Sequence, residues 1–279
     1  MHNDRYGNPG GNGMSSVQPT RREVLAAGLG TCAAAALWSA GLRADGHIKV
    51  VALMGDYWHN PVALERDTRQ IFKSADWDIT FCQASRFLTP ELIDQADILF
   101  LLRYGGPDSL GWSSEGRVSE RDPGDPYMTP EQESAIIRNV RDRGMGLVAF
   151  HCSIWNQTDQ FAELLGVEPI MHGEIQPVVL KDFNQDHPIT AGIDPFFINL
   201  DEQFAAILLN EKYTPLFMSE AVHDKRYALG GWCGQYGKGR FVSLLPGHTQ
   251  FPWRHPEYQK IVWRSAHWAL GNDLPPSMG

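Results

Sequence analysis

Cysteine is scarce in this chain. Four occur in 279 residues, and one of them, Cys32, lies in an unusual N-terminal segment. The other three, Cys82, Cys152 and Cys233, are odd in number and widely spaced, which argues against a disulfide framework. Basic side chains are also in deficit, 24 Lys and Arg against 33 Asp and Glu. With no basic stripe, nucleic acid is not an expected partner. No repeat or heptad pattern is present, so solenoids and coiled coils are excluded. None of the candidate histidines stands at His-x-x-x-His spacing. A metal site would therefore have to be assembled from distant loops.

What is present begins with two distinct N-terminal stretches. Residues 1–19 are rich in Gly, Asn, Ser and Pro with few apolar side chains, a composition that predicts disorder. "TRREVLAAGLGTCAAAALWSAGLRADG" then places Arg21 and Arg22 before an Ala-rich, weakly hydrophobic segment, with Ala44 before Asp45. This is the pattern of a twin-arginine export signal. Val24 to Leu42 is just long enough to span a bilayer, but its Ala and Gly make a poor anchor, so the expectation is export to the periplasm or beyond, followed by cleavage without stable membrane anchoring. Setting aside the four arginines and two acids of residues 1–44 leaves 20 basic against 31 acidic side chains, a net charge of −11. The expected organisation is residues 1–44 as leader and 45–279 as one domain. At 43% hydrophobic and 20% charged overall, the chain can bury a sizeable core.

Along residues 45–279, "IKVVALMG", "WDITFC", "ADILFLL" and "GLVAFHCS" read as strands, separated by helical stretches. Thr129 and Gln132 form a capping-box pair opening the clearest helix, and Gly144 ends it. The alternation β-α-β-α-β-α-β predicts an open parallel sheet with right-handed crossovers, whose ligands bind beyond the carboxyl ends of the strands. Tyr104 to Tyr127, rich in Gly, Pro and Ser, exceeds an ordinary connection and is expected to border the site. After Gly166, "EIQPVVL", "FFINLDE", "TPLFMSEA", "ALGGWCGQY" and "RFVSLLPG" read as a more antiparallel extension. "PEYQKIVWRSAHWALG" reads as a terminal helix.

"GMGLVAFHCS", "DHPITAGI", "LDEQF" and "YGKGRFVSLLPGHTQFPWRHPEYQKIVWRSAHWALG" occur in the order seen in the trehalose-utilisation, or ThuA-like, proteins, which the chain resembles from Ile48 to Gly271. The resemblance implies an α/β fold of the flavodoxin-like, class I glutamine amidotransferase-like kind: an open, mostly parallel sheet with helices on both faces. It also implies a role in carbohydrate catabolism. Amidotransferases of that class carry a cysteine on a tight, glycine-flanked turn, and "FHCSIW" lacks those glycines. Cys152 therefore reads as a small buried hydrophobe and His151 as the functional residue at the strand end.

The candidate site residues follow from position. His59 follows the first strand, His151 the fourth, and His248 stands in "PGHT". Asp201 and Glu202 follow "FFIN". His151, Glu202, His248 and Asp201 are the candidate catalytic residues. His59, His151 and His248 are the candidate ligands for a divalent metal, Zn or Mn, and no nucleotide cofactor is expected. Imidazole with carboxylate suits a Zn-type site and general acid–base work equally. His172 is a fourth histidine at a site position, with a solvated loop residue as the alternative, and His187 reads as turn-capping. Trp58, Trp112, Trp155, Trp232 and Trp253 either stack on sugar or fill the core. Three functions remain open: an enzyme acting on a disaccharide or keto-sugar, a non-catalytic carbohydrate-binding protein, and a Cys152-dependent glutaminase-like hydrolase.

Overall fold

The computed structural model of the chain describes residues 47–103, 112–113, 116–117, 128–155 and 158–272. The expected leader lies outside the described residues, as does most of the Tyr104–Tyr127 segment. Among the described residues no helix is long and apolar enough to cross a membrane.

β1 (Ile48–Met54) is buried over its last five residues. α1 (Pro61–Ile71) is capped by Asn60, whose side chain accepts the Val62 and Ala63 N–H groups, and Pro61 sits in the first turn where no N–H is needed. β2 (Trp77–Cys82) and α2 (Pro90–Gln95, capped by Thr89) lead to β3 (Ile98–Leu102), all five residues of which are buried. β4 (Trp112–Ser113) and β5 (Gly116–Arg117) pair with each other. α3 (Pro130–Arg138) opens with the expected capping box. It continues through a π turn, Asn139–Arg143, and stops at Gly144 with φ +88°. β6 (Gly146–Phe150) is fully buried. α4 (Asp159–Leu165) precedes four antiparallel strands: β7 (Val167–Lys181), β8 (Phe196–Leu208), β9 (Thr214–Ala221) and β10 (Tyr227–Tyr236). β11 (Gly239–Leu244), α5 (Gln250–Arg254) and α6 (Pro256–Ala269) are the last elements of the described residues.

Nine strands form one sheet in the order β2-β1-β3-β6-β11-β10-β9-β7-β8. The first five run parallel, and every junction from β11 onward is antiparallel. The expectation of a mostly parallel sheet is thereby corrected to a mixed one. The physical reason is connectivity: β7 to β11 carry no helix between them, so β7 pairs antiparallel with β8 and β9, and β9, β10 and β11 pair antiparallel in turn, until β11 enters beside β6. α1, α5 and α6 pack together, and α2, α3 and α4 form a second group of neighbours. α6 lies against β6 and β11, so closely that a Cβ at Gly146 would stand 2.9 Å from the Ala269 carbonyl oxygen.

β7 and β8 are longer than the pattern predicts, 15 and 13 residues. Pro169, Gly173, Asn199 and Asp201 interrupt the alternation that marks a strand, but mutual pairing carries both strands through. Register shifts at Pro169/Met171, His172/Ile175 and Gln176/Val178 bend this ribbon. Although β8 is outermost in the sheet, it contacts β10 and α5, and β7 contacts the turn after β6. The ribbon thus curls over the carboxyl ends of the parallel strands. Glu202 consequently sits inside β8 rather than after a strand, and the curl delivers it to the site.

Candidate functional site

Each functional side chain is placed by a specific local device. After β1 the chain turns at Gly55, φ +103°, where a Cβ would meet Pro61 Cβ at 2.6 Å. Asp56 then folds the loop onto itself: its Oδ1 accepts the backbone N–H groups of Trp58 (2.8 Å) and His59 (3.1 Å). The same oxygen stands 2.7 Å from His59 Nδ1. One buried carboxylate therefore fixes both the turn and the ring that the turn presents.

His151 follows β6 with φ +48°, a left-handed conformation that costs a non-glycine residue about 1–2 kcal/mol. Its Nδ1 lies 2.9 Å from the Leu245 carbonyl oxygen at the end of β11. Backbone strain of this kind gathers at functional positions. It falls on His151 and not on Cys152, the neighbour that an amidotransferase-like elbow would have strained.

His248 is carried by the loop after β11. Gly247 supplies φ +146°, and Asp201 clamps the loop from β8, its two carboxylate oxygens accepting Gly247 N–H (2.9 Å) and Thr249 N–H (3.0 Å). Asp201 makes this clamp, and among the described hydrogen bonds it meets none of the site histidines, though its charge helps raise His248.

The structure brings His59, His151, His248 and Glu202 together. His248 Nδ1 is 3.2 Å from His59 Nε2 and 3.3 Å from His151 Nε2. Glu202 Oε2 is 3.3 Å from both His151 Nε2 and His248 Nδ1. Its other oxygen, Oε1, is 2.8 Å from His172 Nδ1. His172 joins the site through β7 pairing with β8. By sequence it stands open between a site residue and a solvated loop histidine, and the pairing decides for the site. His59 and His151 are buried, while His172 is 55% exposed and marks the open side. The ligating atoms of His59, His151 and His248 all lie within 4.8 Å of one another, so these three side chains are positioned to hold one ion.

The electrostatics follow from burial and contact. Burial pulls His151 down to about 4 despite the adjacent Glu202. Burial pushes Glu202 up, but the adjoining His151, His172 and His248 rings outweigh it and hold the carboxylate well below its usual range. His248 is pulled down by burial and raised further by Glu202, for a net rise. Hydrogen bonding to Glu202 raises His172. Asp201 is pushed up by burial to about 7, against its two backbone donors.

Cys152 is buried beside the cluster, its Sγ 3.8 Å from His59 Nδ1. That nitrogen already faces Asp56 at 2.7 Å. Burial, then the charges of Asp56 and Glu202, hold the thiol well above its ordinary range. These surroundings disfavour the thiolate that a nucleophile needs. Among the tryptophans, Trp232 and Trp253 are fully buried core residues. Trp58, 41% exposed, stands next to His59, and Trp155 lies 6.1 Å from the Phe204 ring, which itself packs on His151. His187 caps its turn as expected, its Nδ1 accepting the Ile189 N–H.

Comparison with known proteins agrees with this architecture. The chain is similar to a ThuA-like protein of Parabacteroides merdae, at 16% identity and a TM-score of 0.61, covering 82% of this chain and 94% of that one. A ThuA-like protein of Bacteroides uniformis is similar at 14% identity and a TM-score of 0.59, covering 86% and 95%. A cytoplasmic protein of Salmonella typhimurium LT2 is similar at 12% identity and a TM-score of 0.55, covering 80% and 99%. At such identities these structures speak for the fold. No curated protein matches the chain. The family profile described as trehalose utilisation, ThuA, matches residues 49–269, from the first strand to the last helix, and the chain belongs to that family.

Proposed function

We propose that the protein is an exported carbohydrate-processing enzyme that acts on a disaccharide or an oxidised, keto-bearing sugar. The observation that carries this reading is the Glu202 carboxylate, half-enclosed at the carboxyl end of the sheet with histidines from three separate elements on its two oxygens. A charged carboxylate among imidazoles steadies a ring that gains a proton, so His248, raised by Glu202, is equipped to take a proton from a C–H or O–H group and return it elsewhere on the same sugar. His172, on the open side, is placed to exchange that proton with solvent. Trp58 offers an aromatic face next to His59 for the apolar side of a sugar ring. The family's carbohydrate link supports this substrate class.

The reading has two further parts. The order β2-β1-β3-β6-β11 of the parallel half matches the 2-1-3-4-5 order of flavodoxin-like sheets and supports kinship with the class I amidotransferase fold. Arg21 and Arg22 before the Ala-rich segment support twin-arginine export to the periplasm. Changing both to lysine is expected to retain the protein in the cytoplasm.

The testing experiment is a screen of disaccharides and their keto derivatives against the wild type, His151→Ala and Glu202→Gln. Turnover of a sugar that both variants lose while folded supports the proposal. A sugar that binds without any turnover points instead to a carbohydrate-binding protein.

A further inference from the structure

We infer that His59 Nε2, His151 Nε2, His248 Nδ1 and Glu202 Oε2 form a four-ligand site for a zinc-type divalent metal, with Asp56 and the Leu245 carbonyl orienting two of its histidines. The inference uses the same residues as the proposed function but does not depend on any sugar chemistry.

Asp56 is a carboxylate and accepts, so His59 carries its proton on Nδ1. The Leu245 carbonyl oxygen can only accept, so His151 also carries its proton on Nδ1. In both neutral rings Nε2 is then a bare lone pair, and both point at His248 Nδ1. Glu202 Oε2 adds a further acceptor at 3.3 Å from His151 Nε2. His248 Nδ1 has at most one proton to give, which leaves converging acceptors facing one another. A cation at the centre satisfies all four groups at once.

The spacing suits such an ion. A tetrahedron with arms of about 2.0–2.1 Å has edges of about 3.3 Å; His248 stands 3.2, 3.3 and 3.3 Å from His59, His151 and Glu202, and His151 stands 3.3 Å from Glu202, while the His59 and His151 ligand atoms lie within 4.8 Å of one another. The outer partners have the form that metal-bound histidines adopt: the nitrogen that does not ligate donates to a carboxylate or a backbone carbonyl. Three nitrogens and one oxygen match zinc better than harder, all-oxygen cations. Cys152 stays outside the set, since its sulfur approaches the Nδ1 side of His59.

The test is metal binding by the full chain, stripped with chelator and titrated with Co²⁺ and then with competing Zn²⁺. One equivalent of Co²⁺ should bind with the visible absorption of a tetrahedral site, and Zn²⁺ should displace it. His151→Ala and His248→Ala should abolish that absorption while retaining the far-UV spectrum of the wild type. Asp56→Asn should keep the fold and weaken Co²⁺ binding 10–100-fold. His248 stands on a loop, so its variant keeps the test decisive if His151→Ala does not fold. Absence of stoichiometric Co²⁺ binding by wild type would overturn the inference, as would unchanged binding in His248→Ala. Metal-free protein that still turns over a sugar, and loses turnover in His151→Ala, would overturn the metal site and leave the proposed function standing.

Discussion

Asp56 and His59 form a buried pair in which one carboxylate oxygen both closes the loop after β1, through the Trp58 and His59 N–H groups, and faces His59 Nδ1 at 2.7 Å. Asn at position 56 keeps an oxygen for the backbone donors but loses the charge that sets the ring's tautomer. Asp56→Asn should therefore leave the denaturant midpoint close to wild type and lower activity 10–100-fold, the range seen when an orienting partner is removed. Equal losses of stability and activity would make Asp56 merely structural.

Asp201 acts through His248 rather than on substrate. In Asp201→Asn the amide nitrogen must face one of two backbone N–H donors, so one bond is lost and another is opposed. A stability loss of about 1–3 kcal/mol is expected, together with weaker function, because the Gly247–Thr249 loop is released. Chemical denaturation with a parallel activity assay measures both. Wild-type values for each would remove the clamp from the account.

His187 makes stability depend on pH away from the site. Burial, reinforced by the charge of Arg240, pulls it down to about 4 in the folded chain, against about 6.5 unfolded. The unfolded state therefore binds more protons between those values, so stability rises with pH across that window. The contribution is complete above about pH 6.5 and is lost as pH falls toward 4, by up to about 3 kcal/mol. His187→Asn should show a smaller drop in denaturant midpoint between pH 7 and pH 5 than wild type. An identical drop would contradict the assignment.

Cys152 is a packing residue in this account. Cys152→Ala should retain most activity and lose about 1 kcal/mol of stability from a small buried cavity, and the thiol should resist alkylation in the folded protein. A folded Cys152→Ala protein without any turnover would restore the hydrolase reading.

The parallel half of the fold was legible because its strands announce themselves: β3 and β6 are uninterrupted apolar runs, and Thr129 with Gln132 marks its helix start in local chemistry. Topology then sufficed to put His59 and His151 on one edge. The β7–β8 ribbon was not legible to the same degree. Its length depends on pairing between distant residues, such as Ile175 with Glu202, which carry no local signature. For Asp201 the sequence left holding backbone and doing chemistry open, and for His172 a site and a solvated place, because both are set by how that ribbon bends back over the strand ends. The tautomers of His59 and His151 depend on Asp56 and on the Leu245 carbonyl, and the latter is a backbone group that no side-chain pattern reveals.

The central claim is that three histidines and Glu202 make one metal centre. Its most direct test is an anomalous-difference map from crystals of the protein prepared with Zn²⁺, collected at the zinc absorption edge. The account predicts a single strong peak at about 2.0–2.1 Å from His59 Nε2, His151 Nε2, His248 Nδ1 and Glu202 Oε2. A well-ordered cluster with no peak among these four atoms, in crystals whose zinc is bound elsewhere, would contradict it.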